Sequence, residues 1–465
     1  MIQNHFENEI LTEEAVASLP CFEAVSCNNC LVKLDEVMIV QDCIEDEFYQ
    51  PIIKGNDGIC INSGLWTRSI YEPEGLAIPI NLNEMNFDGL QVRKRLLAVC
   101  KKTGKSFILS LYRTAGATEE EWEEWRQATF KMNSLHGVIG IYEEAFEDEE
   151  EQSCMPTIHL LKRFDHVIPG LIPFEESEIK IIKDKLISYL IECFGESDES
   201  RNVVEALLLT LVSKPAMRVD GLIDSLFIGK LTLNIVFNDD DSIGSNVQNL
   251  KRILTELKHF NSFVQIDESF GQEGGIYPRL NVQNGQISPG AALQQPDGCV
   301  LLVNEGELKE GQVFKDQAVQ NLQSLIDLIR QQKVTYDFGI QQVELKTDMP
   351  VITVSKGKKS VLPHDLSVKC ASGVKFVESV DFALFKSYLE HARNLNFTVQ
   401  EEMAAFLEQD YLNLRKSSPI LPNGNPKINE QEFHRLMNLA RLKSVSSGEN
   451  ELSRETWEST KSLYL

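Results

Sequence analysis

The stretch GKLTLNIVFNDDDSIGSN, from Gly229 to Asn246, decides how the second half of this chain is interpreted. Four large apolar residues between Leu231 and Phe237 alternate with smaller or polar ones, which is the pattern of a strand in a covered sheet. A polar loop with three consecutive aspartates, 239–241, follows this strand, and a helical pattern begins after the loop. The stretch therefore predicts the strand, loop and helix of an α/β domain.

A strand, loop and helix in this order can hold a polyphosphate when the loop reads G-x-x-x-x-G-K-[ST]. In such a loop the backbone N–H groups hold the phosphates, the Lys neutralises them and the hydroxyl holds magnesium. Here aspartates 239–241 occupy the loop, and no Lys follows Gly244. The positive potential that phosphates need is missing, so we predict no catalytic, cofactor-binding or metal-binding residues here.

The second half of such a site would lie in the segment CVLLVNE, from Cys299 to Glu305. An apolar strand that ends in an acidic pair supplies the Asp for magnesium and the Glu that polarises the attacking water. Asn304 stands at the Asp position, and an amide is a poor ligand for a hard cation. Glu305 is then left without its metal. The alternative is that residues 231–237 and 299–303 are ordinary buried strands of an α/β domain.

Short apolar runs separated by Gly, Asn, Asp and Pro predict a mostly β domain between Cys30 and Tyr112, for which a small barrel of the OB type is one solution. The sequence KKTGK (101–105) imitates the end of a phosphate-binding loop, but its setting between two apolar runs favours a hairpin turn. Thr118 and Glu121 predict a capping box, with Trp122 and Trp125 on one side of the helix that follows.

The last third of the chain has helical patterns. Thr398 and Glu401 predict a capping box at the start of one helix, with Val399 on its buried face. Asn429 and Glu432 predict the start of the next helix in the same way.

Composition narrows the class of protein. The chain has 465 residues, of which 42% are hydrophobic, and this is enough for two or three domains. The net charge of −25 argues against tight binding of duplex DNA, because neutralising phosphates requires lysines and arginines. No apolar run has the length of a membrane span, and we expect no membrane partner and an intracellular location. The single C-x-x-C at Cys27 and Cys30 has no second pair, so we expect no zinc site.

Several segments resemble known families. PGAALQQPDGCVLLVNEGEL (289–308) resembles the corresponding region of the minichromosome maintenance (MCM) replicative helicases, and the segments 385–416 and 427–463 resemble their helical lid. The order of the C-terminal half resembles the MCM-binding proteins, which are degenerate relatives of MCM subunits. The segments that carry this second resemblance are GKLTLNIVF (229–237), QQKVTYDF (331–338), SVLPHDL (360–366), YLNLRK (411–416) and LSRETW (452–457).

This resemblance implies an N-terminal OB-like β domain followed by a degenerate AAA+-like α/β domain with a C-terminal helical lid. The arginine that reaches the nucleotide in MCM lids is replaced by Asn429, Glu430 and Gln431, and no arginine finger follows Leu362. The predicted divisions are an N-terminal arm (1–27), an OB-like β domain (28–150), a linker (151–173), the AAA+-like core (174–380) and the lid-like domain (381–465).

The resemblance also implies a function without catalysis. We expect a nuclear, and secondarily cytoplasmic, partner of MCM helicase subunits that affects assembly, storage or removal of the helicase during DNA replication. Roles in chromatin, the cell cycle, cell division, mitosis and sister chromatid cohesion are implied in the same way. No cofactor and no small-molecule substrate are expected. The alternatives are a divergent ATPase that binds nucleotide or DNA, and a generic scaffold protein.

Overall fold

The computed structural model describes 15 stretches of the chain. They are residues 30–54, 58–63, 66–69, 78–79, 91–113, 118–144, 155–220, 225–238, 243–271, 275–282, 286–308, 316–357, 360–379, 381–417 and 428–464. The chain divides into two compact units. Unit 1 comprises Met1–Val167, Pro278–Pro296 and Tyr336–Val343, and unit 2 comprises Ile168–Tyr277, Asp297–Thr335 and Glu344–Leu465.

Strands dominate unit 1 and helices surround a sheet in unit 2. In chain order the elements are β1 (Cys30–Lys54), β2 (Gly58–Ser63), β3 (Trp66–Ser69), β4 (Ile78–Pro79), β5 (Gln91–Cys100), β6 (Ser106–Tyr112), α1 (Glu119–Thr129), β7 (Leu135–Glu143), β8 (Thr157–Asp165), α2 (Ile179–Phe194), α3 (Asp198–Val212), β9 (Met217–Asp220), β10 (Ser225–Ile228), β11 (Thr232–Phe237), α4 (Ile243–Leu257), β12 (Asn261–Gln265), β13 (Leu280–Asn281), β14 (Gln286–Ile287), β15 (Val300–Asn304), α5 (Asp316–Gln331), β16 (Lys333–Asp337), β17 (Gln342–Lys346), β18 (Val351–Lys356), β19 (Leu366–Cys370), α6 (Phe382–Asn394), α7 (Glu401–Ser417), α8 (Glu430–Ser446) and α9 (Arg454–Tyr464).

Five strands of unit 1 pair in a closed ring. β1 pairs with β5 and β7, β5 with β6, β6 in parallel with β8, and β8 with β7. Alternate side chains of these strands point inward and form one apolar core with Trp122 and Phe130 from the α1 region. The predicted β architecture of this half is therefore confirmed.

The strand β8 lies inside the segment that the sequence analysis assigned to a linker, 151–173. Thr157 to Asp165 pair with β7 over most of their length, so this part of the segment is sheet and not linker. β8 also pairs with β6, which lies much earlier in the chain, and a nine-residue run does not indicate such a partner. Two segments of the predicted 174–380 core, Pro278–Pro296 and Tyr336–Val343, also belong to unit 1. The N-terminal arm with Cys27 lies outside the described residues.

Two local predictions in unit 1 are confirmed. Residues 101–105 form the turn between β5 and β6, where Gly104 has a φ of 72° that suits glycine. Thr118 caps α1, and Glu121 completes the capping box by accepting from the Thr118 N–H. Trp122 is buried, whereas Trp125 is 44% exposed. The rings of Trp125 and Phe130 contact each other in an edge-to-face arrangement.

The sheet of unit 2 is parallel, as the alternation of strands and helices predicts. Its strand order is β12-β15-β18-β11-β19, and every pair is parallel. β11 lies between two other strands, and five of its six side chains are buried. The helices α2, α3, α4, α6 and α8 share one apolar core with this sheet. The α/β class of this half is confirmed.

The C-terminal helices pack around Trp457, which is fully buried and donates its indole N–H to Asp410. Asn429 caps α8 by accepting from the Glu432 N–H, as predicted. The predicted capping box at Thr398 is wrong, because α7 begins only at Glu401 and Thr398 instead pairs with the strand-like segment at Glu451. Val399 is 40% exposed for the same reason.

Candidate functional site at the carboxyl ends of the central strands

The carboxyl ends of β15, β18 and β11 lie side by side in unit 2, since these strands are parallel neighbours. In open α/β sheets this is the edge at which ligands bind. Asn304 ends β15, Ser355 is the penultimate residue of β18, and Phe237 ends β11. The fold therefore brings together the segments that the sequence analysis compared with the two halves of a nucleotide site.

Asn304 has a structural role in the turn that follows β15. Its side chain is buried, and its Oδ1 accepts a hydrogen bond of 2.9 Å from the Gly306 N–H. This bond stabilises the turn that follows β15. The amide oxygen is then engaged with the backbone, and the residue offers no carboxylate for a divalent cation.

The first residue of α4, Ile243, occupies the space next to this turn. A Cβ added at Gly306 would lie 1.8 Å from Ile243 Cδ1 and 3.2 Å from Asn304 Oδ1, so the isoleucine side chain packs directly against the turn. Ile243 is 9% exposed. A buried methyl group at this place removes water and offers no partner to a phosphate or a metal ion.

Glu305 is also fully engaged. Its two carboxylate oxygens accept hydrogen bonds of 3.0 Å from the N–H groups of Val361 and Leu362, and the residue is only 4% exposed. Burial raises the pKa of Glu305 above its usual value, although the bonds from these N–H groups act in the opposite direction. The carboxylate therefore anchors the segment that precedes β19 and does not face an open space.

The end of β18 continues the same pattern. The Ser355 hydroxyl donates to Asn234 Oδ1 at 3.0 Å, and the Asn234 amide donates to the Ser367 hydroxyl at 3.4 Å. These three polar groups satisfy one another across adjacent strands. The buried polar side chains at this edge of the sheet thus bond to protein, as buried polar groups do when their role is structural.

The loop with three aspartates lies outside the described residues, so its predicted repulsion of phosphate stays a prediction. Gly244 and Ser245 of the same motif lie in the first turn of α4. At the position of the lid arginine, Asn429 caps α8 and Glu430 faces His434 at 3.6 Å. No arginine is present among these three residues, but Arg435 lies one turn later and pairs with Glu432.

Two residues that hold the opposite, amino-terminal end of β11 in place were missed by the sequence analysis. Asn438 of α8 accepts from the Gly229 N–H at 2.6 Å and donates to the Lys230 carbonyl. Asp365 accepts from both the N–H and the hydroxyl of Thr232. In each case the partners lie more than a hundred residues apart in sequence, and no local spacing could have indicated them.

Within the described stretches, no cluster of three or more His, Cys, Asp or Glu side chains is arranged to hold a metal ion. The helices in these stretches are also too short or too polar to cross a bilayer. The strand ends as described contain an apolar side chain and mutually bonded polar groups. This arrangement favours a structural role for the residues that correspond to a nucleotide site.

Comparison with known proteins gives one family. Residues 123–464 match the family model described as mini-chromosome maintenance replisome factor. The chain is 27% identical over 309 residues to the mini-chromosome maintenance complex-binding protein of Arabidopsis thaliana. The aligned residues are 65% of this chain and 50% of that protein. It is 26% identical over 398 residues to the protein of the same name from Gallus gallus, covering 74% of this chain and 60% of that protein.

The Homo sapiens protein of the same name is 26% identical over 341 residues, which are 67% of this chain and 50% of the human protein. The chain thus spans about half to three fifths of the length of the curated relatives that it matches.

Proposed function

This chain belongs to the mini-chromosome maintenance replisome factor family, whose model covers residues 123–464, and we propose that it is a non-catalytic binding partner of the MCM helicase. The relatives from Arabidopsis thaliana, Gallus gallus and Homo sapiens carry the printed name mini-chromosome maintenance complex-binding protein. The family model spans residues 123–464, which include parts of both units. The similarity to these relatives supports binding of MCM subunits as the activity of this chain too.

The observation that carries the absence of catalysis is the packing of Ile243 against Gly306 beside Asn304. Phosphoryl transfer depends on a magnesium ion and on positive groups around the phosphates. Here a methyl group lies next to the turn where the magnesium carboxylate would stand, and Glu305 is bonded to two backbone N–H groups. Both features support a lobe that keeps an ATPase-like shape without the chemistry.

The strand arrangement supports the finer fold assignments. A closed ring of five strands, with a helix between its third and fourth strands in chain order, suits the OB-like domain. The parallel sheet, in which β18 separates β11 from β15, suits a degenerate AAA+-like core. We propose that this core docks on a true MCM subunit and so influences assembly, storage or removal of the helicase, in the nucleus, during replication and sister chromatid cohesion.

The direct test uses the full chain. Purified protein is mixed with each MCM subunit in turn, and complexes are separated by size-exclusion chromatography with light scattering; we expect a stable complex with at least one subunit. In parallel, calorimetry with Mg·ATP should give no saturable heat at sub-millimolar concentration. Failure to bind any subunit would leave the generic scaffold as the better description. Saturable nucleotide binding would favour the divergent ATPase instead.

Fragments cut near residue 165 are a poor substitute for the full chain. The Ile287 N–H donates to Gln41 at 2.8 Å, and the Tyr336 hydroxyl donates to Asn133, so unit 1 includes segments from the middle of the sequence. A fragment of residues 1–165 would lack both partners. Surface substitutions in the full chain avoid this loss.

A mobility shift with duplex DNA tests the prediction from net charge. A chain with a charge of −25 should bind duplex weakly at physiological salt. Sub-micromolar binding that weakens as salt increases would contradict this expectation and would favour the DNA-binding alternative.

A further inference from the structure

A small pocket opens in unit 2 between α2, α3 and α8, away from the strand ends described above. Its volume is about 200 Å³. The apolar part of its wall is formed by residues of α2 and α3, which are Ile187, Ile191, Val204, Leu208 and Leu209. The shape therefore offers an apolar recess in the surface of the helical layer.

Three cations line the same pocket, one on each helix. Lys183 comes from α2, Arg201 from α3 and Lys443 from α8, and Glu205 is the single carboxylate in the lining. Lys443 lies 3.5 Å from Glu205. The lining thus carries two positive charges in excess, in a chain whose net charge is −25. A local reversal of the overall charge marks a surface suited to an acidic ligand.

The positive charges are incompletely balanced. The Lys183 ammonium donates to the hydroxyl groups of Ser446 and Ser447, at 2.9 and 2.8 Å, which are neutral acceptors. Burial lowers the pKa of Lys183, and this effect outweighs the opposing charges of Glu205, Asp184 and Glu449; Lys443 lowers the pKa further. Arg201 is exposed and, within the described stretches, forms no ion pair. An incoming carboxylate could therefore bind Lys183 and Arg201 without displacing a carboxylate that is ion-paired to them in the described stretches.

The size of the pocket restricts what can enter. Pockets that bind a whole drug-sized molecule have volumes of about 300–1,000 Å³. A volume of about 200 Å³ instead suits one bulky apolar side chain. A free inorganic anion would make no use of the five apolar residues, and a nucleic acid would need a longer row of cations than three.

We propose that this pocket binds an acidic peptide segment of a partner protein, which inserts one bulky apolar side chain between α2 and α3 and places its carboxylates against Lys183, Arg201 and Lys443. Binding of this class combines an apolar anchor with charge complementarity at the rim. The proposal does not depend on the identity of the helicase partner, and it concerns a surface distinct from the strand ends.

The test is fluorescence anisotropy with the full chain and a labelled peptide in which one Phe is flanked on both sides by Glu and Asp. We expect saturable binding in the range of about 10–100 µM, weakening as salt increases. A peptide with Phe replaced by Ser should bind much more weakly, and a peptide with all acids replaced by Lys should not bind. Equal binding of the three peptides would overturn the proposal.

Variants locate the site. Arg201→Glu should weaken peptide binding at least about tenfold, because it reverses a rim charge that has no structural partner. Ile187→Asn should weaken the Phe peptide and leave the Ser peptide unchanged. The matched control is Lys185→Glu, a charge reversal at an exposed position of α2 outside the pocket lining, which should change binding less than about twofold.

Circular dichroism and thermal unfolding of each variant separate loss of binding from loss of fold. Unchanged binding in folded Arg201→Glu would overturn the proposal, as would equal losses in Arg201→Glu and Lys185→Glu. A fatty acid is the alternative ligand, because it also combines an apolar chain with a carboxylate. Decanoate tests this alternative. Saturable binding of decanoate together with no binding of the acidic peptide would also overturn the proposal.

Discussion

Two groups of cations in unit 2 differ in what balances their charge. Lys258 and Arg393 are buried, and each has a carboxylate partner, Glu390 for the lysine and Asp348 for the arginine. Among the pocket cations Lys183, Arg201 and Lys443, the ion pair described in these stretches joins Lys443 to Glu205, the one carboxylate of the pocket lining. Charges that are fully paired inside the protein hold its structure, whereas charges left partly unpaired at a surface recess remain available to a ligand.

The polar residues at the strand ends resemble the first group of cations, because their partners also lie within the protein. Asn304, Glu305 and Ser355 all bond to other parts of the protein, so the polar residues that would serve a nucleotide are used internally. The hydrogen bonds of the polar groups in a candidate site are therefore a better guide to its role than the residue types that it contains.

The largest expected effect comes from the paired group. Burial alone raises the pKa of Glu390, but Lys258 and Arg393 hold it below its usual value, so the carboxylate is ionised beside a buried lysine. Glu390→Ala leaves that lysine uncompensated and should lower the free energy of unfolding by about 3–5 kcal/mol. Urea unfolding measures this loss, with the exposed Glu408→Ala as control. If Glu390→Ala and Glu408→Ala had similar urea midpoints, Lys258 would not depend on Glu390 for its charge balance. Lys258 would then belong with the pocket cations.

The next effect concerns the strand ends. Glu305→Ala removes the acceptor of the Val361 and Leu362 N–H groups and should cost about 2–3 kcal/mol. Glu307, which is exposed two residues later, supplies the control Glu307→Ala. Hydrogen exchange of the amides at 361 and 362 should become faster in the first variant only. Unchanged protection of these amides would contradict a structural role for Glu305.

A smaller, pH-dependent effect follows from the raised pKa of the same group. Since the folded state binds this proton more tightly than the unfolded state, the resulting stability is present below the ordinary value of 4.5 and is lost as pH rises through the folded-state pKa. Glu305→Gln does not titrate. The stability of the native protein relative to this variant should therefore decrease as pH rises above 4.5. If the difference in stability between the native protein and Glu305→Gln stayed constant with pH, the pKa of Glu305 would not be raised by burial.

The smallest effect is expected in the second group. Arg201 is exposed and caps no other element, so Arg201→Gln should change the free energy of unfolding by less than about 0.5 kcal/mol. Thermal unfolding is sufficient for this measurement. A loss above about 1 kcal/mol would show that the guanidinium stabilises the fold, and the contrast between the two groups would then weaken.

Local patterns in the sequence were enough for many elements. The alternation from Leu231 to Phe237 predicted β11, and the pairs Thr118 with Glu121 and Asn429 with Glu432 predicted the starts of α1 and α8. These features depend on residues within one strand or one helical turn. The pair Thr398 and Glu401 failed because a contact with Glu451, far along the chain, holds Thr398 outside the helix.

The sequence alone shows that an amide, Asn304, and not a carboxylate follows the apolar run 299–303. It could not show that Ile243 packs against Gly306 or that Glu305 bonds to Val361 and Leu362. Nor could it indicate the pairing of β8 with β6 that closes the ring of unit 1, or the pocket shared by three helices. These features join residues that are far apart along the chain, and only tertiary packing decides which of them meet.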